Sequence, residues 1–217
     1  MKYCKPPLSV KEQIELLVSR GLIVRDINIA EHTFSNISYY RLSSYLYPFR
    51  VPDSPNQDFY PDTSLDEILK VYSFDRKLRL LVFDAIERIE IAFRAQLSLV
   101  LAFDLSVDWF SISENFADIN KFDNIINSFK KELALSKEVF IQHFQKKYTE
   151  TECPPSWIAL EIFTFGQLSS HYSNLKNKTL KQKVSSHFRV QSSILESWLH
   201  SLSYLRNLCA HHSRIWN

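Results

Sequence analysis

The amino-acid sequence predicts an all-α fold, and three observations lead to that prediction. Apolar residues recur every three to four positions over long segments, which is the period of a helix with one buried face. Only two glycines occur among the 217 residues, and neither Gly nor Pro interrupts the chain between Thr63 and Phe103. No segment sustains the two-residue alternation of a half-buried strand, so strands are expected to be few or absent.

The first helices are marked by the residues that start and stop them. The sequence SVKE, from Ser9 to Glu12, is a capping box, in which two side chains satisfy backbone N–H groups at the start of a helix. Gly21 supplies a stop, because glycine readily adopts the left-handed conformation in which many helices end. A second short helix is expected over residues 28–37.

A loop and a long helix follow. Residues 50–62 contain three prolines and several turn formers, which predicts a surface loop. A further capping sequence at residues 63–64 starts a helix that is expected to continue to about Phe103. The sequence therefore suggests an N-terminal helical arm, residues 1–62, packed on a helical bundle, residues 63–217, as one compact whole.

Apolar periodicity also predicts which residues of the long helix face the core. The residues that recur every three to four positions there are Phe74, Leu78, Leu81, Ala85, Ile89, Ala92, Gln96 and Leu99. The same kind of pattern predicts further helices over residues 120–135, 137–148, 156–175, 178–188 and 192–217. The chain is expected to be helical over most of its length.

Composition limits the kinds of function that the chain can have. A hydrophobic fraction of 45% is ample for a buried core. Two glycines are too few for the Gly-rich loops that bind nucleotide phosphates, so no nucleotide cofactor is expected. The three cysteines, Cys4, Cys153 and Cys209, are scattered, which favours reduced thiols and provides no ligand pairs for zinc. We therefore expect neither a metal ion nor a cofactor.

The distribution of apolar and charged residues suggests where the protein acts. No apolar run resembles a signal peptide or reaches the ~18 residues of a membrane span, so a cytoplasmic protein without a membrane partner is expected. Residues 1–120 carry 13 basic and 17 acidic side chains, whereas residues 121–217 carry 13 and 7. The second half is better suited to bind a polyanion, although solvated lysines on helix surfaces explain the same excess.

The closing stretch RNLCAHHSRIWN has an unusual set of polar residues. Lys, Asp and Glu are absent after Glu196, although such residues fill ordinary solvated helix faces. If the last helix continues to the end, Ser203, Asn207, His211 and Arg214 fall on the same side as His200, on a stripe that points away from the core. The expected core face comprises Trp198, Leu202, Leu205, Cys209, His212 and Trp216. The stripe is either an ordinary surface or a face covered by a second subunit or a polyanion.

Three sequence blocks resemble a known family. They are ISYYRLSSYLYPFR (37–50), FDRKLRLLVFDAIERIEIAFRAQL (74–97) and LRNLCAHHSRIWN (205–217). Together they resemble the Abi-like family of bacterial abortive-infection proteins, of the AbiD and AbiF type, within the HEPN superfamily of helical, RNA-directed domains. The last block carries the R-N-x-x-x-H pattern of that superfamily as Arg206, Asn207 and His211.

The resemblance implies a HEPN-like helical bundle that forms a homodimer, in which the paired R-N-x-x-x-H motifs make one composite site. Many members of the superfamily are metal-independent ribonucleases that act in phage defence or as toxins. Members of this branch are associated with small non-coding RNA. The resemblance therefore implies RNA as the partner, and a cognate small RNA is one form that this partner can take.

The chemistry of RNA cleavage without a metal ion gives an independent reason for these residue types. The reaction needs a base for the 2′-OH proton, an acid for the leaving 5′-oxygen, and cations for the charged transition state. Histidine suits both proton transfers because its unperturbed pKa is ~6.5. We assign acid–base chemistry to His211, phosphate binding to Arg206 and orientation to Asn207. Secondary candidates for RNA binding are His212, Arg214, His200 and Arg41.

Three functions remain open at this point. The first is an endoribonuclease that acts in abortive infection. The second is a module that binds RNA through the same residues without cleaving it. The third is a bundle that serves only for dimerisation.

Overall fold

The computed structural model describes residue 2 and residues 6–216. Within those residues it has ten α-helices and no named strand. The helices are α1 (Val10–Ser19), α2 (Ile27–Asn36), α3 (Tyr39–Leu46), α4 (Leu65–Asp104), α5 (Ile119–Leu135), α6 (Val139–Lys147), α7 (Ser156–Ala159), α8 (Phe165–Asn174), α9 (Lys178–His187) and α10 (Ser192–Ala210). The predicted all-α fold is confirmed, whereas a HEPN-like arrangement of these helices stays a prediction.

The predicted helix starts and stops are present. Ser9 and Glu12 form the capping box of α1: the Ser9 N–H donates to the Glu12 carboxylate at 2.7 Å, and the Glu12 N–H donates to the Ser9 hydroxyl at 3.3 Å. Ser64 and Glu67 make the same reciprocal pair at the start of α4. Gly21 follows α1 with a φ of +91°, the left-handed conformation that its role as a stop requires.

The described residues form two compact units. The first unit contains the described residues up to Leu80 together with residues 212–216, and the second contains residues 81–211. The sequence suggested a division at residue 62 instead, and whether residues 1–62 behave as a separate arm stays a prediction. The long helix α4 contributes residues to both units.

Each unit has its own apolar core. The core of the first unit is formed by α1, α2, α3 and the start of α4, with Ile14, Leu17, Ala30, Phe34, Leu42, Tyr45, Leu46 and Ile68 fully buried or nearly so. In the second unit α10 packs against α8 and α9, and α5 packs against α8. Its core is rich in aromatic rings, including Phe93, Trp109, Phe110, Phe116, Phe129, Phe163 and Tyr172. Such rings bury large apolar areas and stabilise the bundle that carries α10.

The predicted core stripe of α4 is wrong in its orientation. Phe74, Leu81, Ala85 and Leu99 of that stripe are exposed, and its other four members are half-buried. The buried residues of α4 are instead Leu65, Ile68, Asp75, Arg79, Ile86, Phe93, Leu97, Ser98 and Leu101. Apolar residues lie on two faces of α4, and periodicity alone does not say which face the rest of the chain covers.

The helix predicted over residues 156–175 is divided in two. α7 ends at Ala159, and Thr164 then starts α8 through another capping box, in which it is paired with Gln167. Of the three cysteines, Cys4 lies outside the described residues, and Cys153 and Cys209 form no disulfide.

A buried histidine in the second unit leads to a prediction about pH. The His171 ring is fully buried among aromatic side chains, and its Nε2 lies 2.8 Å from the carbonyl oxygen of Phe110, to which it donates. Burial lowers the pKa of His171 from 6.5 to about 4. The native state therefore keeps this ring neutral at pH values where the unfolded chain takes up a proton.

Stability is accordingly expected to fall as the solution is acidified. Between pH 7.5 and pH 5, the unfolded chain binds the His171 proton and the folded chain does not, which lowers the free energy of unfolding by about 2 kcal/mol. Urea denaturation at the two pH values, followed by circular dichroism, measures this loss. The matched variant His143→Gln changes an exposed histidine and should keep the full loss. A wild-type stability that is level across this range would contradict the prediction.

Candidate functional site on helix α10

The helix α10 presents a mixed face of polar and apolar residues to solvent. Its exposed residues include His200 and Asn207, and also Ile194, Trp198 and Tyr204. Its buried residues are Leu195, Leu199, Ser203 and Cys209. The prediction that Trp198 faces the core is wrong, since 54% of this residue is exposed. The prediction that Ser203 points away from the core is also wrong, since Ser203 is buried. The side of α10 that faces the core carries Leu195, Leu199 and Ser203. It is rotated around the helix axis from the core face that was predicted.

The prediction that this helix continues to the end of the chain is also wrong. α10 ends at Ala210, and His211 is its C-cap. His212 has a φ of +56°, a left-handed conformation that turns the backbone out of the helix. The positions assigned to His212, Arg214 and Trp216 by extending the helix therefore do not apply. His212 is exposed and not part of a core face.

Arg206 is held from its inner side by an acidic residue of α4. Its Nε lies 3.7 Å from a carboxylate oxygen of Glu90, and its guanidinium group lies 6.0 Å from the centre of the Phe83 ring. Its Nη1 donates to the Oδ1 of Asn207 at 3.4 Å. Glu90 also accepts from Arg94 at 3.0 Å, so one half-buried carboxylate orients two arginines. These contacts place the guanidinium group of Arg206 between α4 and Asn207.

Asn207 and His211 lie on the exposed side of the same helix end. The backbone N–H of His211 donates to the carbonyl oxygen of Asn207 at 2.9 Å, which satisfies one of the last carbonyl groups of the helix. Both side chains are exposed, as is that of His200, about two turns earlier. The fold therefore brings Arg206 and Asn207 into contact and leaves the imidazole of His211 accessible to solvent.

Arg41, His212 and Arg214 belong to the first unit, where they form structural contacts. Nη2 of Arg41 donates to the carbonyl oxygen of His212 at 2.6 Å, and Nη1 of Arg214 donates to the carbonyl oxygen of Ser44. The guanidinium group of Arg214 also lies 5.9 Å from the centre of the Trp216 ring. Both arginines therefore hold residues 212–216 against α3, and each of them already has a backbone oxygen as a partner.

A buried carboxylate in the first unit anchors the same segment. The side chain of Asp75 is completely buried, and its Oδ1 accepts the backbone N–H groups of Ile215 (3.1 Å) and Trp216 (2.7 Å). Two adjacent N–H groups thus bind one carboxylate oxygen, as charge-assisted hydrogen bonds. Asp75 fixes the backbone of the residues that follow the motif.

The second oxygen of Asp75 completes a buried polar network. It accepts from the hydroxyl of Tyr45 at 2.6 Å and from Nη1 of Arg79, which is one turn further along α4. Arg79 also donates to Tyr45 at 3.0 Å and to the carbonyl oxygen of Ser213 at 3.3 Å. Burial and the hydrogen bond to Asp75 raise the pKa of the Tyr45 hydroxyl. This network was not predicted; its one visible signal in the sequence is an acidic and a basic residue four positions apart within an apolar helix.

Two further properties concern the described part of the chain as a whole. No group of three or more His, Cys, Asp or Glu side chains there is arranged to hold a metal ion. None of the helices described is both long enough and apolar enough to cross a bilayer.

Comparison with known proteins gives one match. The family model described as Abi-like protein matches residues 32–217, which is most of the chain and includes α10 and the residues after it. No curated protein and no solved structure matches.

Proposed function

The chain belongs to the Abi-like family of abortive-infection proteins, and from that premise we propose that it binds RNA and cleaves it without a metal ion. The observation that carries the proposal is the end of α10, where Arg206 is held in place beside two exposed polar side chains, Asn207 and His211. These three residues are the R-N-x-x-x-H pattern of the HEPN superfamily, which the sequence resembles.

The proposed reaction uses the 2′-hydroxyl of the RNA as the nucleophile. A base removes the 2′-OH proton, O2′ forms a bond to the adjacent phosphorus, and the bond from phosphorus to O5′ breaks. An acid donates a proton to the departing O5′, so the products carry a 2′,3′-cyclic phosphate and a 5′-hydroxyl. Histidine is suited to either proton transfer because its unperturbed pKa of ~6.5 is close to neutral pH.

Arg206 is proposed to bind the phosphate and to stabilise its developing negative charge. Arginine offers a rigid fork of N–H groups that matches phosphate oxygens. Glu90 and Phe83 hold this guanidinium group on its inner side, so little side-chain entropy is lost when a phosphate binds on the outer side. Asn207, in contact with Arg206, is proposed to orient the same phosphate.

The site is proposed to be composite, with two copies of the chain facing each other through α10. Each copy supplies one His211, and the reaction needs both a base and an acid, so a twofold pair supplies both. The exposed face of α10 supports this arrangement, because Ile194, Trp198 and Tyr204 lie beside the polar residues. Large aromatic residues are frequent anchors in protein interfaces.

Incubation of the purified protein with end-labelled RNA in EDTA tests the proposed activity. We expect fragments whose 3′ ends carry a 2′,3′-cyclic phosphate. Such 3′ ends resist 3′-end labelling until a phosphatase has removed the cyclic phosphate. Intact RNA that copurifies with the protein would contradict cleavage and favour the RNA-binding module. Intact RNA without salt-sensitive binding would contradict both and favour a bundle that serves only for dimerisation.

A further inference from the structure

The second unit exposes a row of apolar residues along α4. Leu81, Leu99 and Phe103 are exposed by 72%, 54% and 84%, although they lie on a well-formed helix whose opposite side is buried. Isolated exposed apolar residues are common in monomeric proteins, but here three large ones lie on one side of a single helix. We therefore expect another surface to bury these residues.

The spacing of this row is that of a helix that pairs with another helix. Successive positions are separated alternately by four and three residues, at Leu81, Ala85, Arg88, Ala92, Ala95 and Leu99. Five of the six are apolar, and the small alanines lie between the two leucines. Small residues in the middle allow two helix backbones to approach closely, and the large ones at the ends then need space on the partner.

The face of α4 that carries Leu81 and Leu99 provides such a space. A groove of about 400 Å³ lies beside Leu99 and is lined largely by apolar side chains, among them Leu99, Ala102, Phe103, Trp157 and Leu160. Trp157 is itself 54% exposed. Leu81 and Leu99 are equidistant from residue 90, so a twofold axis beside residue 90 brings Leu81 of one copy to the groove at Leu99 of the other.

The exposed apolar area supplies most of what a specific interface buries. Leu81, Leu99, Phe103, Trp157 and Ile91 together expose roughly 600 Å², if a large apolar side chain offers about 200 Å² when fully exposed. A standard interface covers about 800 Å² on each partner. The alanines and the side chains at the edge of the row supply the remainder.

We propose that α4 pairs in antiparallel fashion with α4 of a second copy of this chain, and that Leu81 of each copy fills the groove beside Leu99 of the other. Glu90 is nine residues from both leucines, which places it about 180° from them around the helix. Because Arg206 contacts Glu90, this interface lies on the side of α4 opposite to the motif. It is therefore separate from the α10 pairing and does not rest on the proposed function.

A disulfide between Leu81→Cys and Leu99→Cys tests the pairing directly. The two positions are 18 residues apart in one helix, about 27 Å, whereas a disulfide joins Cα atoms less than about 7 Å apart. A bond between them must therefore join two copies. We expect the double variant to run as a covalent dimer after mild oxidation, and each single variant and the wild-type chain to remain monomeric on a denaturing gel. A double variant that remains monomeric there would overturn the proposed register.

A second experiment tests the interface without a cross-link. Leu99→Glu places a charge in the groove at an exposed position, so it leaves the fold intact and is expected to halve the mass in sedimentation. Leu135→Glu, which changes a still more exposed leucine at the end of α5, should leave the mass unchanged. An unchanged mass for Leu99→Glu would overturn the proposal. RNA cleavage is measured in a separate assay. A failure of the α4 pairing would not contradict cleavage, and a failure of cleavage would not contradict the α4 pairing.

Discussion

His211→Ala is expected to slow RNA cleavage by a factor of about 10²–10⁴, the range that a positioned acid–base group contributes. His211 caps α10 through its backbone, and its side chain is exposed, so the substitution should leave the fold unchanged. If each composite site uses both copies of His211, one substitution removes the base and the acid together, and the loss should fall at the upper end of that range.

The measurement is the single-turnover cleavage rate of labelled RNA, with RNA affinity recorded in parallel. His143→Ala changes an exposed histidine on α6 and serves as the matched control, with an expected rate equal to that of the wild type. Affinity should fall much less than the rate, because this variant keeps Arg206 and Asn207, the residues proposed to bind the phosphate. A cleavage rate for His211→Ala within a few-fold of the wild type would contradict the assignment.

Asp75→Asn is expected to lower the free energy of unfolding by about 3–5 kcal/mol, the cost of breaking a buried ion pair by removing one partner. The side chains of Asp75 and Arg79 are 0% and 6% exposed. The amide leaves the Arg79 charge buried without a counter-charge. It also weakens the hydrogen bonds to the backbone N–H groups of Ile215 and Trp216.

The same helix provides a matched control for this experiment. Asp84 and Arg88 of α4 form a pair with the same four-residue spacing, but both side chains are largely exposed. Exposed pairs contribute at most about 1 kcal/mol, so Asp84→Asn should change stability little. Urea denaturation of both variants gives the comparison. An equal loss of unfolding free energy in the two variants would contradict the prediction, because burial of Asp75 would then make no difference.

The helices were predictable because their starting signals are local. The capping boxes at Ser9 and Ser64 and the stop at Gly21 each depend on a few neighbouring residues, and each is present. The buried face of α4 was not predictable from periodicity, because apolar residues occupy two of its faces. Only tertiary packing decides which face is covered.

The motif of the candidate site, Arg206, Asn207 and His211, is visible in the sequence, but the contacts that its residues make are not. The contact of Arg206 with Glu90 joins residues more than a hundred positions apart, and no local pattern encodes it. The end of α10 at Ala210 was missed because His212 adopts a left-handed conformation without being a glycine.

The dependence of the cleavage rate on the fraction of wild-type chains, in mixtures coexpressed with His211→Ala chains, tests the composite site most directly. If two copies contribute His211 to one site, a mixed pair is inactive, and equal amounts give about one quarter of the wild-type rate per total protein. If each chain cleaves RNA with its own His211, the same mixture gives about one half. A rate that follows the square of the wild-type fraction is the predicted result, and a linear dependence would contradict the composite site.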